Sequence, residues 1–552
     1  MTDFVRMTFP DGSVREFPKG TTLEAMLQPQ WGEQGITVAA KVGNELKELT
    51  FAPLQDSVIT PVDLTSTDGI RIYWRSLIFV LVRAAQEIFP GCKVTIEHSL
   101  SKGIFGELYI GRPVTEKDIR TVEDRMREII TANDAIEKIT LPREEAIKLF
   151  RDQNQMDKVK LLSFRRKDYV RVYKCGDCFD YFYGYMVPRT GYLKVFGLKF
   201  YLPGFILRFP QRECPTELPA FVEQRKLARV FYEFEQWGKV LEIPHVGGLN
   251  ELIAQGKSGE IIRIAEALHE KKLAQLADEI TKDKGRVRVI LVAGPSSSGK
   301  TTFAQRLSVQ LRVNGLKPLA ISIDDYFVDR SHTPRDEDGK PDYEALEAID
   351  LELFNEHLIQ LIQGEEIELP VFNFQTGQRE YRGHRVRINQ EQPLIIEGIH
   401  GLNDRLTEAV PKERKFKIYI SALTQLNVDD HNRIPTTDNR LLRRIVRDSQ
   451  FRAHDARTTI ALWPMVRRGE ERNIFPFQEE ADAIFNSALS YELAVLKRYA
   501  EPLLMTIGPD DPVYPEAKRL LKFLGYFLPM DDSEVPINSI LREFIGQSCF
   551  VN

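Results

Sequence analysis

The stretch that decides the fold runs from Arg286 to Gly315 and reads RVRVILVAGPSSSGKTTFAQRLSVQLRVNG. Its first part, 287–293, is mostly apolar and β-branched, as a buried parallel strand requires. Its last part carries an apolar residue every four positions from Phe303 to Leu311 and stops at a glycine, as a helix does. The stretch therefore predicts a strand, a glycine-rich loop and a helix, in that order.

The loop between the strand and the helix fits the phosphate-binding pattern G-x-x-x-x-G-K-[ST]. Its residues are Gly294, Pro295, Ser296, Ser297, Ser298, Gly299, Lys300, Thr301 and the adjoining Thr302. Backbone N–H groups can curl around a phosphate there, and the helix N-terminus adds the positive end of its dipole. Lys300 would reach the outer phosphates, and the Thr301 hydroxyl would bind Mg²⁺. The alternative is a serine-rich turn without a ligand, but the flanking strand and helix favour a nucleoside triphosphate site.

Length and composition are typical of a multidomain globular protein. The 552 residues, 43% hydrophobic and 28% charged, should form three or four domains. A net charge of −5 gives no general attraction for nucleic acid or anionic membrane. Without a signal-peptide core or an apolar run of about 18 residues, we expect a cytoplasmic protein with no membrane association. Cys175 and Cys178 are expected to be structural thiols, because no second pair completes a zinc set.

Residues 1–63 predict a small β-rich domain. Residues 4–9 alternate in polarity, Asp11-Gly12 marks a turn, and residues 14–17 return as a partner strand. Thr21-Thr22-Leu23-Glu24 then begins a helix with its capping hydroxyls, which indicates a β-grasp fold. The segment FPDGSVREFPKGTTLEAML resembles the TGS domain at the front of threonyl-tRNA synthetases. That resemblance implies a domain without catalytic residues that binds a partner or regulates.

Residues 64–245 resemble the second, editing-type domain of the same synthetases. After a linker, Asp63–Gly69, a helix is expected from Arg75 to Gly91, and the segments KVTIEHSLSKGIFGELY and YKCGDCFDYFYGYMVP carry the likeness. The active form of that domain needs an H-x-x-x-H and a C-x-x-x-H pair, whose ligands converge on one point. The four positions here are Phe79, Arg83, Phe182 and Met186. The resemblance therefore implies an α+β fold without the editing chemistry.

Apolar stripes at helical spacing continue from Glu217 to Lys284, and such stripes are typical of core-forming helices. They are expected to join the front half to the phosphate-loop half. We assign residues 246–284 to a helical connector, 285–510 to the phosphate-loop domain and 511–552 to a C-terminal helical tail.

Two further predicted strands end in acids. Residues 319–323 precede Asp324 and Asp325, and residues 394–396 precede Glu397. Ligands gather at the carboxyl ends of parallel strands, so we expect these acids beside the phosphate loop. A carboxylate there can accept a proton from an attacking hydroxyl or hold Mg²⁺; the alternatives are a turn cap and a strand end without a ligand. Asp325 should point away from Asp324 if strand geometry persists.

A run of arginines lies between Asp438 and Asp448. Arg440, Arg444 and Arg447 are spaced at i, i+4 and i+7, on one face of a helix. Fork-shaped cations suit the charge on a transferring phosphoryl group. Such a run is otherwise a solvated face, but the phosphate loop upstream favours a site.

The segments GPSSSGKTT, SIDDYF, IELPVFNF, LIIEGIHGL and DNRLLRRIVRD, in this order, resemble the uridine kinase and phosphoribulokinase family over about residues 285–510. With the synthetase-like front, the arrangement resembles the long bacterial nucleoside kinases. The family implies an α/β domain with a parallel sheet that uses ATP and Mg²⁺. It also implies that Asp324 is the catalytic base, that Lys300 and Arg447 act in catalysis, and that Thr301 and Glu397 hold the metal. The implied substrate-binding residues are Glu344, which would hold the ribose hydroxyls, Phe372, Arg379, Arg444 and Arg452.

Three positions depart from the family pattern. Phe372 and Gly377 stand where uridine kinases have a Tyr and a His that grip the pyrimidine, and His454 replaces a lid arginine. Phe372 can still stack on a base, whereas Gly377 offers no side-chain donor. The residues expected for phosphate chemistry are present, whereas the identity of the acceptor is left undecided by these departures.

These features predict an ATP-dependent kinase that phosphorylates the 5′-hydroxyl of a nucleoside, with uridine and cytidine as the first candidates. A second hypothesis keeps the phosphate machinery but uses another small hydroxyl compound, such as a sugar phosphate. A third is a nucleotide-driven switch associated with RNA or the ribosome, in which the front half binds an RNA or protein partner. The oligomeric state, including a homo-oligomer, is left open by the sequence.

Overall fold

This computed structural model describes residues 4–241, 243–282, 285–335, 339, 341–373, 375–424 and 426–550. The expected domain limits at residues 1, 284 and 552 lie outside these residues, and the division into domains stays a prediction.

A mixed sheet with one short helix forms the front of the molecule. Its elements are β1 (Phe4–Thr8), β2 (Val14–Pro18), α1 (Leu23–Leu27), β3 (Ala39–Val42), β4 (Glu45–Glu48) and β5 (Ser57–Val62). The strand order is β2-β1-β5-β3-β4; β1 and β5 are parallel and the other neighbours are antiparallel. Alternation buries Val5 and Met7, and the Thr22 hydroxyl accepts the Ala25 N–H at the start of α1. The two strands, helix and further strands expected of a β-grasp fold are confirmed.

The next part contains a long buried helix and two antiparallel sheets. Its elements are α2 (Thr67–Ile88), β6 (Lys93–Leu100), β7 (Gly103–Tyr109), α3 (Glu116–Ala132), β8 (Glu137–Pro142), α4 (Arg143–Asp152), α5 (Met156–Ser163), β9 (Tyr169–Cys175), β10 (Cys178–Asp180), β11 (Gly197–Tyr201) and β12 (Gly204–Arg208). The sheets have the orders β11-β12-β7-β6 and β10-β9-β8. This α+β arrangement agrees with the expectation for residues 64–245.

Helix α2 begins at Thr67, so the expected helix start at Arg75 was wrong, and residues 67–69 of the expected linker Asp63–Gly69 belong to the helix. The Ser66 side chain accepts the Gly69 N–H and caps a helix that starts at Thr67. The helix ends at Ile88, before the expected proline stop at Pro90 and short of the expected end at Gly91.

Three helices, α6 (Arg225–Leu241), α7 (Val246–Ala254) and α8 (Ser258–Thr281), lead into the phosphate-loop half. Ile261, Leu273 and Leu276 of α8 lie in one core cluster with Val172 of β9 and with residues of the phosphate-loop half. These helices therefore pack against both halves, as their apolar stripes indicated.

The phosphate-loop half is an α/β unit built on a parallel sheet. Its elements are β13 (Val289–Ala293), α9 (Lys300–Val313), β14 (Leu319–Ser322), α10 (Leu351–Gln363), β15 (Ile367–Asn373), β16 (Gln378–Val386), β17 (Leu394–Glu397), β18 (Lys415–Ser421), α11 (Thr436–Phe451), α12 (Ala456–Asn473), β19 (Ala483–Asn486), α13 (Glu492–Met505), α14 (Tyr514–Leu524) and α15 (Arg542–Ile545). The sheet order is β14-β17-β13-β18-β19, with every neighbouring pair parallel. Strands β15 and β16 form a separate antiparallel hairpin.

This strand order decides where the chemistry can lie. Strand β13 is fully buried at the centre, as its apolar sequence requires, and β17 and β14 follow it on one side. The carboxyl ends of these three strands therefore lie side by side at one edge of the sheet. The phosphate loop follows β13, and Glu397 is the last residue of β17. Asp324 comes shortly after the end of β14.

A buried charge cluster joins the two halves. The ammonium of Lys158 lies 3.1 Å from Oδ1 of Asp180, and Nδ1 of His431 lies 2.6 Å from Oδ2 of the same carboxylate. Lys158 and Asp180 belong to the front half and His431 to the phosphate-loop half, and all three are buried. Breaking one partner would leave an uncompensated buried charge, so this cluster fixes the contact between the halves. Within the described residues, no helix combines the length and apolar character that crossing a bilayer demands.

Candidate active site

The phosphate loop has the backbone shape that its glycines predict. Ser297 and Gly299 adopt left-handed conformations, with φ of 59° and 86°. Gly294 packs so closely on β18 that a Cβ would lie 1.9 Å from the carbonyl oxygen of Ile420. Only glycine fits that contact, and the loop is thereby held against the sheet.

Several polar groups of the loop have the chemistry that a phosphate ligand needs. The Lys300 ammonium donates to the carbonyl oxygens of Gly294 and Pro295, at 3.0 and 3.4 Å, so it lies folded over the loop. The hydroxyl oxygens of Ser297, Ser298 and Thr302 are buried and have no hydrogen-bond partner within the described part of the chain. Cationic and donor groups of this kind fit a polyphosphate.

The two expected metal ligands lie together. The Thr301 hydroxyl is 3.3 Å from Oε1 of Glu397, which joins the start of α9 to the end of β17. Burial raises the pKa of Glu397 to about 7, Asp324 and Glu543 add repulsion, and Lys300 opposes the rise. The Thr301 hydroxyl and the Glu397 carboxylate supply oxygen ligands, and other carboxylates lie nearby. Such a set of oxygen ligands fits Mg²⁺.

Asp324 lies at the same sheet edge, but not on a strand. Residues Ile323–Tyr326 form a 3₁₀ turn, so the expected strand ends one residue early, at Ser322, and the condition for the alternation argument about Asp325 is not met. The Asp324 side chain opens onto the cleft; the protein around it removes part of its solvent and raises its pKa, while Lys300 and Arg452 oppose the rise. Asp325 instead accepts the Phe372 N–H at 3.4 Å and so supports strand β15.

Glu344 lies in the segment between β14 and α10 and packs against α12. Its side chain packs on Gly469 of α12, where a Cβ would lie 2.7 Å from Cβ of Glu344. Burial raises the pKa of Glu344 to about 7, Glu470 adds repulsion, and Arg444 and Lys300 lower the pKa. Two of the groups that act on the pKa of Glu344, Arg444 and Lys300, are expected phosphate-binding cations.

Three expected arginines gather around one buried acid, Asp448. Arg444 Nε, Arg447 Nη2 and Arg452 Nε lie 3.2, 2.6 and 3.9 Å from its carboxylate oxygens. Arg444 also donates to Oγ of Ser296 in the phosphate loop, at 2.7 Å. Asp448 therefore holds three arginines together, of which Arg444 contacts the phosphate loop, and the sequence analysis did not assign this role to Asp448.

Two other arginines of α11 are buried supports. Arg440 pairs with Glu470 and donates to the Ser296 carbonyl oxygen at 3.3 Å, and Arg443 donates to that of Ser297 at 3.3 Å. Glu470 also accepts the Ser296 N–H at 3.0 Å. Arg440 thus differs from Arg444 and Arg447, with which the helical spacing had grouped it. Pairing of this kind depends on tertiary contacts, and only the charges themselves were visible in the sequence.

The expected acceptor side lies on the β15–β16 hairpin. Phe372 is buried, and its ring centroid lies 5.5 Å from that of Phe327. Gly377 has a φ of 71°, and a Cβ there would lie 2.4 Å from Cδ of Arg330. The positive φ and the close approach of Arg330 both favour glycine at position 377. The sequence analysis did not identify Arg330 as part of this region. Arg379 forms an ion pair with Asp350 at 2.8 Å, so its role toward an acceptor stays a prediction.

In the front half, other groups fill the positions of the editing ligands. The rings of Phe79 and Phe182 pack edge to face at 5.7 Å, and Met186 is buried in the same core. Arg83 Nη1 lies 3.1 Å from Sγ of Cys175, a cysteine that forms no disulfide bond with any described residue. Throughout the described ranges, no three His, Cys, Asp or Glu side chains are grouped as a metal site.

Comparison with known proteins assigns each half separately. Residues 289–494 match the model of the Phosphoribulokinase / Uridine kinase family. The chain is 28% identical over 196 residues to the threonine–tRNA ligase of Acetivibrio thermocellus and 30% identical over 196 residues to that of Acidovorax sp. strain JS42. Each match covers 35% of this chain and 31% of the ligase, so the chain spans about a third of the length of these relatives.

Among solved structures, a possible uridine kinase from Bacillus stearothermophilus is similar at 21% identity. The match covers 39% of this chain and 98% of that chain, with a TM-score of 0.27. With a TM-score this low, the family model alone supports the assignment of the C-terminal half. Residues 289–494 therefore match the phosphoribulokinase/uridine kinase family, and the front half is similar to threonine–tRNA ligases.

Proposed function

We propose that the protein transfers the γ-phosphoryl group of ATP to the 5′-hydroxyl of a nucleoside, with uridine and cytidine as the first candidates. The observation that carries the proposal is the contact between Thr301 and Glu397 at 3.3 Å, at the sheet edge where Asp324 also lies. A pair that suits Mg²⁺ and a carboxylate that can take a proton then stand around one phosphate loop.

Each group has a distinct task in this reaction. The loop N–H groups and Lys300 hold the triphosphate, and Thr301 with Glu397 would hold Mg²⁺, which when bound neutralises charge on the phosphate oxygens. Asp324 accepts the proton of the acceptor hydroxyl while the oxygen of that hydroxyl forms a bond to the γ-phosphorus. The bond from that phosphorus to the β,γ-bridging oxygen breaks, and ADP leaves. Arg444 and Arg447 stabilise the charge on the transferring group.

Glu344 and Phe372 are the proposed acceptor contacts. Glu344 would accept hydrogen bonds from the ribose hydroxyls, and the Phe372 ring would lie against the base. Since Gly377 offers no side-chain donor, we expect uridine and cytidine to differ by less than about a hundredfold in kcat/KM.

A sugar phosphate or another anionic hydroxyl compound is the second candidate. The observation that favours it is Arg330, whose side chain lies against Gly377 at the hairpin turn. A guanidinium on this side of the cleft would suit an anionic group on the acceptor.

The test is ATP consumption and product identification with a panel of nucleosides and sugar phosphates. A 5′-phosphorylated pyrimidine nucleoside supports the proposal, and a product formed only from sugar phosphates supports the second candidate. ATP hydrolysis that responds to RNA and to no small acceptor would contradict both and favour a nucleotide-driven switch.

A further inference from the structure

The C-terminal segment 533–550, which we call the C-terminal strap, folds back over the phosphate loop. It contains α15, and its apolar side chains Ile540, Leu541 and Phe544 are buried in the core of the phosphate-loop half. The strap is therefore part of the folded domain and not a loose end.

The strap places a carboxylate on a phosphate-binding N–H group. Oε2 of Glu543 accepts the N–H of Thr302 at 3.0 Å. Thr302 is the third residue of α9, and the first N–H groups of a helix have no partner within the helix. In a phosphate loop these N–H groups bind the anionic ligand. Glu543 thus takes a hydrogen bond that phosphate oxygens would otherwise accept.

The same segment also approaches the loop sterically. A Cβ on Gly299 would lie 2.5 Å from Cγ2 of Ile540, so the strap rests directly on the glycine that precedes α9. The Glu543 carboxylate is moreover one of the negative groups that act on Glu397, the expected metal ligand. A triphosphate in the loop would bring further negative charge beside Glu543.

Two buried contacts hold the strap in place. Ser539 donates to the Glu266 carboxylate of α8, and the Arg443 guanidinium lies 4.9 Å from the centroid of the Phe544 ring. Arg443 also donates to the Ser297 carbonyl oxygen, so one side chain contacts both the strap and the loop.

We propose that the C-terminal strap is an intramolecular competitor of the triphosphate and must release Thr302 before a nucleotide binds fully. This regulation rests on the proposed function only in that the ligand is a nucleoside triphosphate; it requires no particular acceptor. Because the hydrogen bond from Thr302 to a charged acceptor must be exchanged, the strap lowers the nucleotide affinity of the resting protein.

The test compares Glu543→Gln with the wild-type chain in binding of a non-hydrolysable ATP analogue, measured by calorimetry without an acceptor. Glu543→Gln keeps the shape but removes the charge, and we expect its Kd to be about tenfold to a hundredfold lower. Glu534→Gln is the matched control, because Glu534 lies in the same strap but pairs with Arg263 at the surface. Its Kd should equal that of the wild type.

Hydrogen exchange provides a second readout that does not depend on a variant. The N–H groups of residues 542–546 are bonded within the strap, and nucleotide should increase their exchange if the strap is displaced. Equal Kd values in Glu543→Gln and wild type, or exchange that slows with nucleotide, would overturn the proposal. No nucleotide binding by any variant would contradict the nucleotide site itself, a result distinct from failure of the strap alone.

Discussion

The Thr301 hydroxyl and the Glu397 carboxylate lie 3.3 Å apart, although 96 positions separate them in the chain. They meet because β13 and β17 are parallel neighbours, with Val292 opposite Glu397 in register. The loop after β13 leads into α9, and Thr301 at the start of α9 therefore lies beside Glu397 at the end of β17. This pair and the cations of α11 define the cleft in which we propose phosphoryl transfer.

Replacing Glu397 with Gln should weaken the response to Mg²⁺. The substitution keeps the size of the side chain but removes the charged oxygen, so the Mg²⁺ concentration for half-maximal rate should rise by at least about tenfold. Thr301→Ser, which keeps the hydroxyl, is the control and should change little. Titration of the rate with Mg²⁺ decides this; an unchanged midpoint in Glu397→Gln would remove Glu397 from the metal site.

Acceptor binding should depend on pH through Glu344. Burial and the neighbouring Glu470 raise the pKa of Glu344 to about 7, and only its ionised form accepts hydrogen bonds at both oxygens. Lowering the pH through 7 protonates it, so KM for the nucleoside should be about tenfold higher at pH 6 than at pH 8. Measurements at saturating ATP and Mg²⁺ separate this effect from titration of Glu397.

The control for this prediction is Glu344→Gln, which cannot ionise. Its KM should be high at both pH values and should vary little between them. A pH-independent KM in the wild type, or the same pH dependence in Glu344→Gln, would show that Glu344 does not bind the acceptor.

The front half should not hydrolyse mischarged tRNA or bind zinc at the editing positions. Phe79, Phe182 and Met186 are buried there and offer no ligand or base, and Arg83 is tied to Cys175. A seryl-tRNA deacylation time course, with a threonine–tRNA ligase as positive control, should match the buffer blank. Hydrolysis above that blank, or stoichiometric zinc in metal analysis, would contradict this.

The main parts of the site could be predicted because each follows from a local pattern. A strand, a glycine loop and a helix place Lys300 and Thr301, and the rule that ligands gather at the ends of parallel strands places Glu397 beside them. The β-grasp order likewise follows from alternation and turn residues in a short segment.

The remaining features depend on contacts between segments far apart in the chain. No spacing in the sequence pairs Arg440 with Glu470 or brings Glu543 to Thr302, because such pairs form only when α11, α12 and the C-terminal strap pack together. The strand before Asp324 was expected to include Ile323, but it ends at Ser322 and a 3₁₀ turn begins at Ile323; local propensity alone does not fix that boundary.

The most direct test of the central claim compares Asp324→Asn with Asp325→Asn in nucleoside phosphorylation and ATP affinity. Asp324→Asn removes the proposed base but not the phosphate loop, so kcat should fall by about 10²–10⁴ while ATP still binds. Asp325→Asn weakens a 3.4 Å contact with the Phe372 N–H and should cost much less. Full activity in Asp324→Asn, or an equal loss in both variants, would contradict the assignment of Asp324 as the group that accepts the proton.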